Sequence, residues 1–350
     1  MTGQELSRHV KAGEIFALET FSGLDCREQD YSGGIFNEVR FDSCDFSGAD
    51  LREATFNNCC FDQGIFSGAD LDKANFFRCR LSRSRFDGTA MHFTKFMESD
   101  LTGSRFDKAR LKTGIFTDSN LAESSFAEVF AEMSVWYACN LAAVDFSAAH
   151  LHKAVFFASQ FRQNTFRHAT ITLSCFYQAV LTGIDFSDLD LSQTQFMECE
   201  LAECLFRRCR LKQAGFMQAD LQRAVFDGAD LELANFYGAN LTGVSMKNVH
   251  LAWANLQKAQ LTGADLSAAN LAMAQLAAME ANQCIFSGAD LRYADLSHAR
   301  LEESDFTNAG LFLADLHKVR AEKVIWNGAS RALAKAEDTQ REKAETWRQQ

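Results

Sequence analysis

The stretch FSGADLREATFNNCCFDQGIFSGADL, residues 46–71, places a large apolar side chain at every fifth position: Phe46, Leu51, Phe56, Phe61, Phe66 and Leu71. Working outward, the spacing is clear from Phe36 and Phe41 and runs without insertion or deletion to Leu316, with Trp326 still in phase. Upstream, Phe16, Phe21, Cys26 and Tyr31 keep the register while the slots between them degenerate. Two residues before each centre stands a small one, often Ala; Asp or Asn frequently comes directly before it, and polar residues follow. A period of five fits neither the 3.6 of an amphipathic helix nor the 2 of a regular strand. Very short strands joined by a turn at every corner do fit. From Gly23 onward 13 glycines fall second after a centre. That is the third residue of a turn, where type II geometry requires positive φ.

This A-[D/N]-L-x-x pattern, seen in ideal form at Phe46–Leu51, Phe66–Leu71 and Phe286–Leu291, resembles the pentapeptide-repeat family. The resemblance covers residues 16–326. It implies an all-β fold, a right-handed quadrilateral β-helix in which four pentapeptides make one square coil. Centre and small residue point inward and the other three outward, and about 15 coils follow from the repeat length. Read in steps of twenty, ten consecutive Phe fill one wall from Phe46 to Phe226. A second Phe wall runs from Phe36 to Phe236, interrupted only by Trp136, and Leu dominates the other two. At Val129/Ala131, Met279/Ala281 and Val319/Ala321 the large and small slots trade places, conserving volume within a coil. Phe130 and Trp136 beside the first exchange suggest a local bulge.

The expected organisation is an N-terminal helical cap over 1–15, the β-helix over 16–328 and a C-terminal helix over 329–350. Thr2 and Glu5 have capping-box spacing, Leu6 and Val10 share a face, and Gly13 can end that first helix. In the last segment Leu333, Ala336, Ala344 and Trp347 lie loosely on one side. Its expected role is to cap the open coil, with dimerisation or partner capture as the alternative.

Composition agrees with this reading. The 350 residues contain no proline, against about 17 at the usual frequency of roughly 5%; proline cannot donate to a hydrogen-bond ladder. Of the 11 cysteines, eight (Cys44, Cys59, Cys79, Cys139, Cys199, Cys204, Cys209 and Cys284) occupy the small slot and read as buried apolar residues. None matches C-x-x-C zinc spacing. Free thiols suit a reducing compartment, and no secretory signal opens the chain, so a bacterial cytoplasmic protein is expected. Secretion by a route needing no cleavable signal is compatible with this. A net charge of -11 argues against direct nucleic-acid binding, and no apolar run reaches membrane-spanning length.

No catalytic constellation stands out, and neither a cofactor nor a small-molecule substrate is expected. The eight histidines are scattered, and no neighbouring pair forms a ligand set, so no metal site is expected. Asp30, Asp50 and Asp70 would stack in one column as solvated residues, and a cation there is disfavoured. Arg78, Arg80, Arg83 and Arg85, then Arg207, Arg208, Arg210 and Lys212, interrupt any uniform acidic face.

The departures from the pattern point outward. Directly after the centres of the Phe36–Phe236 wall come Phe77, Met97, Thr117, Tyr137, Phe157, Tyr177, Met197, Met217 and Tyr237. Ile115, Val135, Val155 and Cys175 lie just before centres of the same wall, with Ala138 and Ala158 beside them. A second stripe, two after the Leu251-type centres, reads Leu233, Trp253, Met273, Tyr293 and Leu313, and the C-terminal helix is expected to cover it. Aromatic and Met residues at polar positions suit a protein interface. Stacking along a β-wall is the competing explanation, and the expected working surface is the Phe77–Tyr237 wall.

The reading is a non-enzymatic scaffold for a protein partner, a homodimer, or both. The opening ELSRHVKAGE…FSGLD looks like pentapeptide-repeat proteins associated with bacterial type VI secretion loci, which implies an accessory role in effector assembly. The alternative is a DNA mimic that binds and protects or inhibits DNA gyrase, as in the quinolone-resistance branch. Net acidity favours the mimic; the basic clusters and apolar wall oppose it.

Overall fold

The computed structural model describes residues 1–335 and 338–347. They fall into two compact units, Met1–Asp185 and Phe186–Gln350. Ala336 lies outside the described residues. Among the described residues no helix is long and apolar enough to cross a membrane.

The first unit opens with helix α1, Gly3–Lys11, whose Thr2 and Glu5 form the expected capping box. Leu6 and Val10 are buried, and Gly13 ends the turn with φ 84°. Three anchors fix the helix to the first coil. Tyr31 Oη donates to the Gly3 carbonyl at 3.0 Å, Ser7 Oγ to the Asp30 carbonyl at 2.8 Å, and Lys11 Nζ lies 2.9 Å from the Asp30 carboxylate.

Burial disfavours the charged form of Asp30, but hydrogen bonds from Ser32 and Lys11 outweigh it and hold the carboxyl at about 2, below its ordinary 3.8. A depressed folded value stabilises the fold above the unfolded value, and that contribution disappears as pH falls through the folded one. The stability gap between the native chain and Asp30→Asn is therefore expected to be full at pH 6 and to close between about pH 4 and pH 2. Chemical denaturation at a series of pH values measures it. A gap that persists unchanged at pH 2 would remove Asp30 from the anchor.

Beyond α1 the chain forms parallel bridges between residues twenty apart. One wall carries the strands Ile15–Ala17, Ile35–Asn37, Thr55–Asn57, Asn75–Phe77 and onward to Cys175–Tyr177, with Phe16 over Phe36, Phe36 over Phe56 and Phe56 over Phe76. The other walls are mostly single bridges, such as Asp45↔Ile65 and Cys60↔Arg80. Hydrogen bonds alternate up and down the stack: Arg85 N–H reaches the Gly64 carbonyl at 2.9 Å and Phe86 N–H the Arg105 carbonyl at 2.7 Å. With a donor taken at nearly every step, proline has no place in the ladder.

The centres are inside. Phe86, Phe106 and Phe126 stack at 4.8 and 4.5 Å between ring centroids. They meet the opposite Phe wall edge-on, Phe106 against Phe96 at 6.1 Å and Phe116 at 5.8 Å. Aromatic quadrupoles favour offset-stacked and edge-on pairs alike. The second unit repeats the arrangement, with Phe216 stacked on Phe236 at 4.8 Å and edge-on to Phe226 at 5.7 Å.

Val129 and Ala131 are both buried, as are Met279 and Ala281. The bulge expected at Ala131 is absent: Phe130–Glu132 pairs in register with Arg110–Lys112 and His150–His152. The volume exchange is absorbed inside the coil. Phe130 instead points outward and stacks on His150 at 4.7 Å.

The small slot is more polar than its cysteines suggest. Ser84, Ser99 and Ser104 donate to the carbonyls of Phe61, Phe76 and Leu81 at 2.9, 3.3 and 2.7 Å. Thiols at the same slot do likewise, Cys59 toward Phe36 and Cys139 toward Phe116, at 3.4 and 3.5 Å. Burial pushes the Cys139 and Cys284 thiols up to about 12, so they remain protonated and unreactive.

All 13 corner glycines have positive φ, and so do side-chain-bearing residues at that position: Glu53 at 60°, Lys73 at 60°, Trp253 at 62°. The left-handed conformation costs such a residue about 1–2 kcal/mol. Cross-coil bonds hold it in place, as Lys73 N–H to the His92 carbonyl at 2.7 Å.

In the second unit the bridges run on to Asp305↔Ile325, and further hydrogen bonds join Leu313 N–H to the Leu333 carbonyl and Lys335 N–H to the Ala314 carbonyl. The expected C-terminal helix is thus shorter than 329–350. Arg331–Leu333 is a 3-10 turn laid against the last coil, and helix α2 spans Thr339–Trp347.

Candidate functional site

Strand pairing lines up the first apolar stripe in the first unit. It sets Asn57 beside Phe77, Phe77 beside Met97, and Met97 beside Thr117. Thr117 is followed by Tyr137, Phe157 and Tyr177. Ile115, Val135, Val155 and Cys175 form the parallel row on the near side of the centres. Met197, Met217 and Tyr237 occupy the equivalent column of the second unit.

These side chains largely shade one another. Tyr137 stacks on Phe157 at 5.0 Å, Phe157 lies 5.2 Å from Tyr177, and the Arg78 guanidinium covers Phe77 at 4.7 Å. Lys258 Nζ sits 5.4 Å from the Tyr237 ring. Only Tyr137 of the stripe is exposed; the others are half-buried.

The second stripe is the more open. Leu233, Trp253, Met273, Tyr293 and Leu313 are 48, 54, 37, 46 and 38% exposed. Each has positive φ, from 53° to 62°. Among the described residues helix α2 does not give the expected cover, although the turn before it accepts from Leu313 N–H at the Leu333 carbonyl. Trp347 is 78% and Leu333 54% exposed, and no residue of α2 is buried. Sequence reasoning missed that the same corner column in the first unit also carries exposed Phe93, Met133 and Leu173. Their spacing of forty residues was the available signal.

Helix α2 sits elsewhere, through polar contacts. Arg341 bridges Asp315 at 3.0 Å and the Ser297 hydroxyl at 3.2 Å, and Glu345 meets Lys318 at 2.9 Å. Ser297 and His317 follow the centres Leu296 and Leu316, which continue the column of Met197, Met217 and Tyr237. Two of the scattered histidines do come together here: His298 and His317 face the same Glu345 carboxylate. Their nineteen-residue offset is one short of the coil step, which is why the spacing concealed them.

Charges are paired locally. Arg78 meets Glu98 at 2.8 Å and Arg208 meets Asp188 at 2.7 Å; Arg80 bonds Asp62. Arg52 holds Asp50 at 2.5 Å and lies 3.7 Å from Asp70, so guanidinium neutralises part of that Asp column.

With this geometry in hand, the chain can be placed. Family models described as pentapeptide repeat region match residues 131–203 and 199–276. Those described as pentapeptide repeats match 21–58, 74–112, 269–308 and 284–320 in the 8-copy form and 41–85 in the 9-copy form. The chain belongs to the pentapeptide-repeat family. No curated protein matches it.

Solved structures of similar fold include trypsin-treated QnrB1, a plasmid-mediated fluoroquinolone resistance protein. It is 21% identical, with 62% of this chain and 89% of that one covered and a TM-score of 0.33. HetL, a pentapeptide repeat protein involved in heterocyst differentiation regulation in Nostoc sp. strain PCC 7120, is 23% identical. There 78% of this chain and 96% of that one are covered, with a TM-score of 0.21. Rfr23 from Cyanothece 51142 is 19% identical over 45% and 91% of the two chains, with a TM-score of 0.12.

Proposed function

We propose that the chain is a non-enzymatic protein-binding scaffold that associates with a second copy of itself through Leu233, Trp253, Met273, Tyr293 and Leu313. One observation carries the reading. Five large apolar side chains stand exposed on successive coils at strained corners, where glycine would remove the strain. Their order is self-complementary. A two-fold axis at Met273 sets Leu233 against Leu313 and Trp253 against Tyr293, as an isologous dimer requires. Ala252, Ala272, Asn255 and Gln275 beside Trp253 and Met273 carry no charge, while Glu232, Arg292 and Asp295 flank the rest of the stripe, and an interface core is depleted of charge.

Light scattering across micromolar concentrations tests this. The native chain is expected at twice its monomer mass, and Trp253→Glu with Tyr293→Glu at monomer mass. Trp253→Ala alone weakens association at least about tenfold, since buried Trp anchors dominate interfaces. Tyr137→Glu with Phe157→Glu leaves the mass unchanged, because both residues lie outside the Leu233–Leu313 stripe. A monomeric native chain, or a dimer indifferent to the Trp253 and Tyr293 changes, would refute the reading.

At a finer level, the opening segment supports an accessory role in type VI secretion effector assembly, with the Phe77–Tyr177 wall facing the protein cargo. A gyrase-directed DNA mimic is the competing reading, favoured by the net charge of -11. The arginine–carboxylate pairs interrupt the continuous negative surface a mimic needs. Inhibition or protection of gyrase supercoiling at stoichiometric protein would decide for the mimic.

A further inference from the structure

We propose that His298, His317 and Glu345 bind one divalent first-row transition-metal ion of the zinc class, which clips helix α2 to the second unit. The argument begins with convergence. Glu345 Oε1 is 3.2 Å from His298 Nε2, and Oε2 is 3.4 Å from His317 Nε2. One ligating atom from each residue can be chosen so that all lie within 4.8 Å of one another. A tetrahedral zinc ion with arms of about 2.0–2.1 Å has ligand–ligand edges of about 3.3 Å. The two observed imidazole–carboxylate separations have that length but end on different oxygens, so the Glu345 carboxylate must turn to present one oxygen to both rings.

The backbone supports the pair independently. His298 N–H donates to the His317 carbonyl at 2.8 Å, holding the residues on adjacent coils, and the rings stand 5.6 Å apart at 85°. Two rings nearly at right angles aim their lone pairs at one point more readily than two stacked ones. His317 is buried, while the His298 and Glu345 side chains are 41% and 30% exposed. The site thus has a buried side at His317 and an open side at His298.

The donor set decides the metal class. Two imidazoles with one carboxylate suit zinc, cobalt or nickel, whereas magnesium and calcium want oxygen ligands. Lys318 Nζ, 2.9 Å from Glu345, and Arg341 Nε, 3.2 Å from it, now supply the positive charge, and the ion would replace the lysine. Its flexible stem lets it withdraw. Among the described residues His317 Nδ1 has no hydrogen-bond partner, and a ligating ring without an outer acceptor loses about 10–100-fold in affinity. Binding in the micromolar range follows, weaker than in a structural zinc finger.

The consequence is a metal-dependent closure of α2 over Ser297 and His317. The test uses the full chain, stripped with chelator and titrated with zinc by calorimetry and with cobalt by visible absorption. One ion per chain is expected, with zinc slowing tryptic cleavage after Arg341 and Lys343. His298→Ala and Glu345→Gln, both at partly exposed positions, each weaken binding at least about tenfold. His250→Ala, in the more open Asp230–Glu232–His250 cluster, leaves it unchanged. No saturable zinc binding below about 100 µM, or binding indifferent to both site variants, or cleavage unaffected by bound zinc, would overturn the proposal.

Discussion

Phe106→Ala is expected to lower stability by about 3–5 kcal/mol, read as a shift of the chemical denaturation midpoint. Phe106 is fully buried. It is sandwiched between Phe86 and Phe126 at 4.8 and 4.5 Å and meets Phe96 and Phe116 edge-on. Truncation removes four ring contacts and leaves a void with coils on both sides. Those coils are spaced by backbone hydrogen bonds, such as Phe106 N–H to the Ser125 carbonyl at 2.7 Å, so they cannot close on the gap. Cavity cost adds to lost transfer energy when surroundings relax poorly. Phe106→Leu should cost much less, because leucine fills the same slot on neighbouring walls. Equal midpoints for the alanine variant and the native chain would mean that the ladder is not what holds the coils.

The second large effect is expected at Gly3. A Cβ there would overlap the Asp25 carbonyl oxygen and crowd its carbon and Cys26 Cα. Those are backbone atoms, so no rotamer relieves the clash. Gly3→Ala is expected to lift α1 from the first coil, exposing Leu6 and Val10. Each buried side chain of this size contributes about 1.5–3 kcal/mol, so the loss approaches 3–6 kcal/mol if the helix detaches fully. Ser7, Lys11 and Tyr31 lose their partners with it. Amide exchange across residues 3–11 is the direct measure, with protection expected to vanish while the coils beyond Phe36 keep theirs. Protection of α1 retained in Gly3→Ala would show that the helix can re-seat around the added methyl.

The interior was legible because it keeps one register for hundreds of residues, with only the slot exchanges such as Val129/Ala131 departing from it, and buried centres at Phe36, Leu51 or Phe226 leave no second register. Outward positions obey weaker rules. The sequence ranks Phe77–Tyr237 above Leu233–Leu313 by counting aromatics, yet exposure runs the other way. A residue just after a centre stands in the middle of a flat wall and is shaded by its copies twenty residues away. A corner residue such as Trp253 projects clear of them. Likewise His298 and His317 looked unrelated because corner and wall positions of successive coils become neighbours at nineteen residues, and Glu345 reaches them only through α2. The sequence pattern also overextends α2, since it contains nothing to show that Arg331–Leu333 would lie against the final coil.

The twenty-residue step seen in every described bridge also gives the chain a kind of gearing. Adding or losing twenty residues within a unit lengthens a wall and leaves every downstream side chain pointing as before. Adding or losing five keeps a large centre at every inward position, but sets Phe over Leu where the two registers meet. It would also swing everything downstream through a quarter turn. A stripe such as Leu233–Leu313 survives only if its members stay in angular phase. Insertions of one pentapeptide therefore disturb the core only at the junction but displace every surface stripe downstream of it, so the surface is a stricter record of the chain's duplication history than the core.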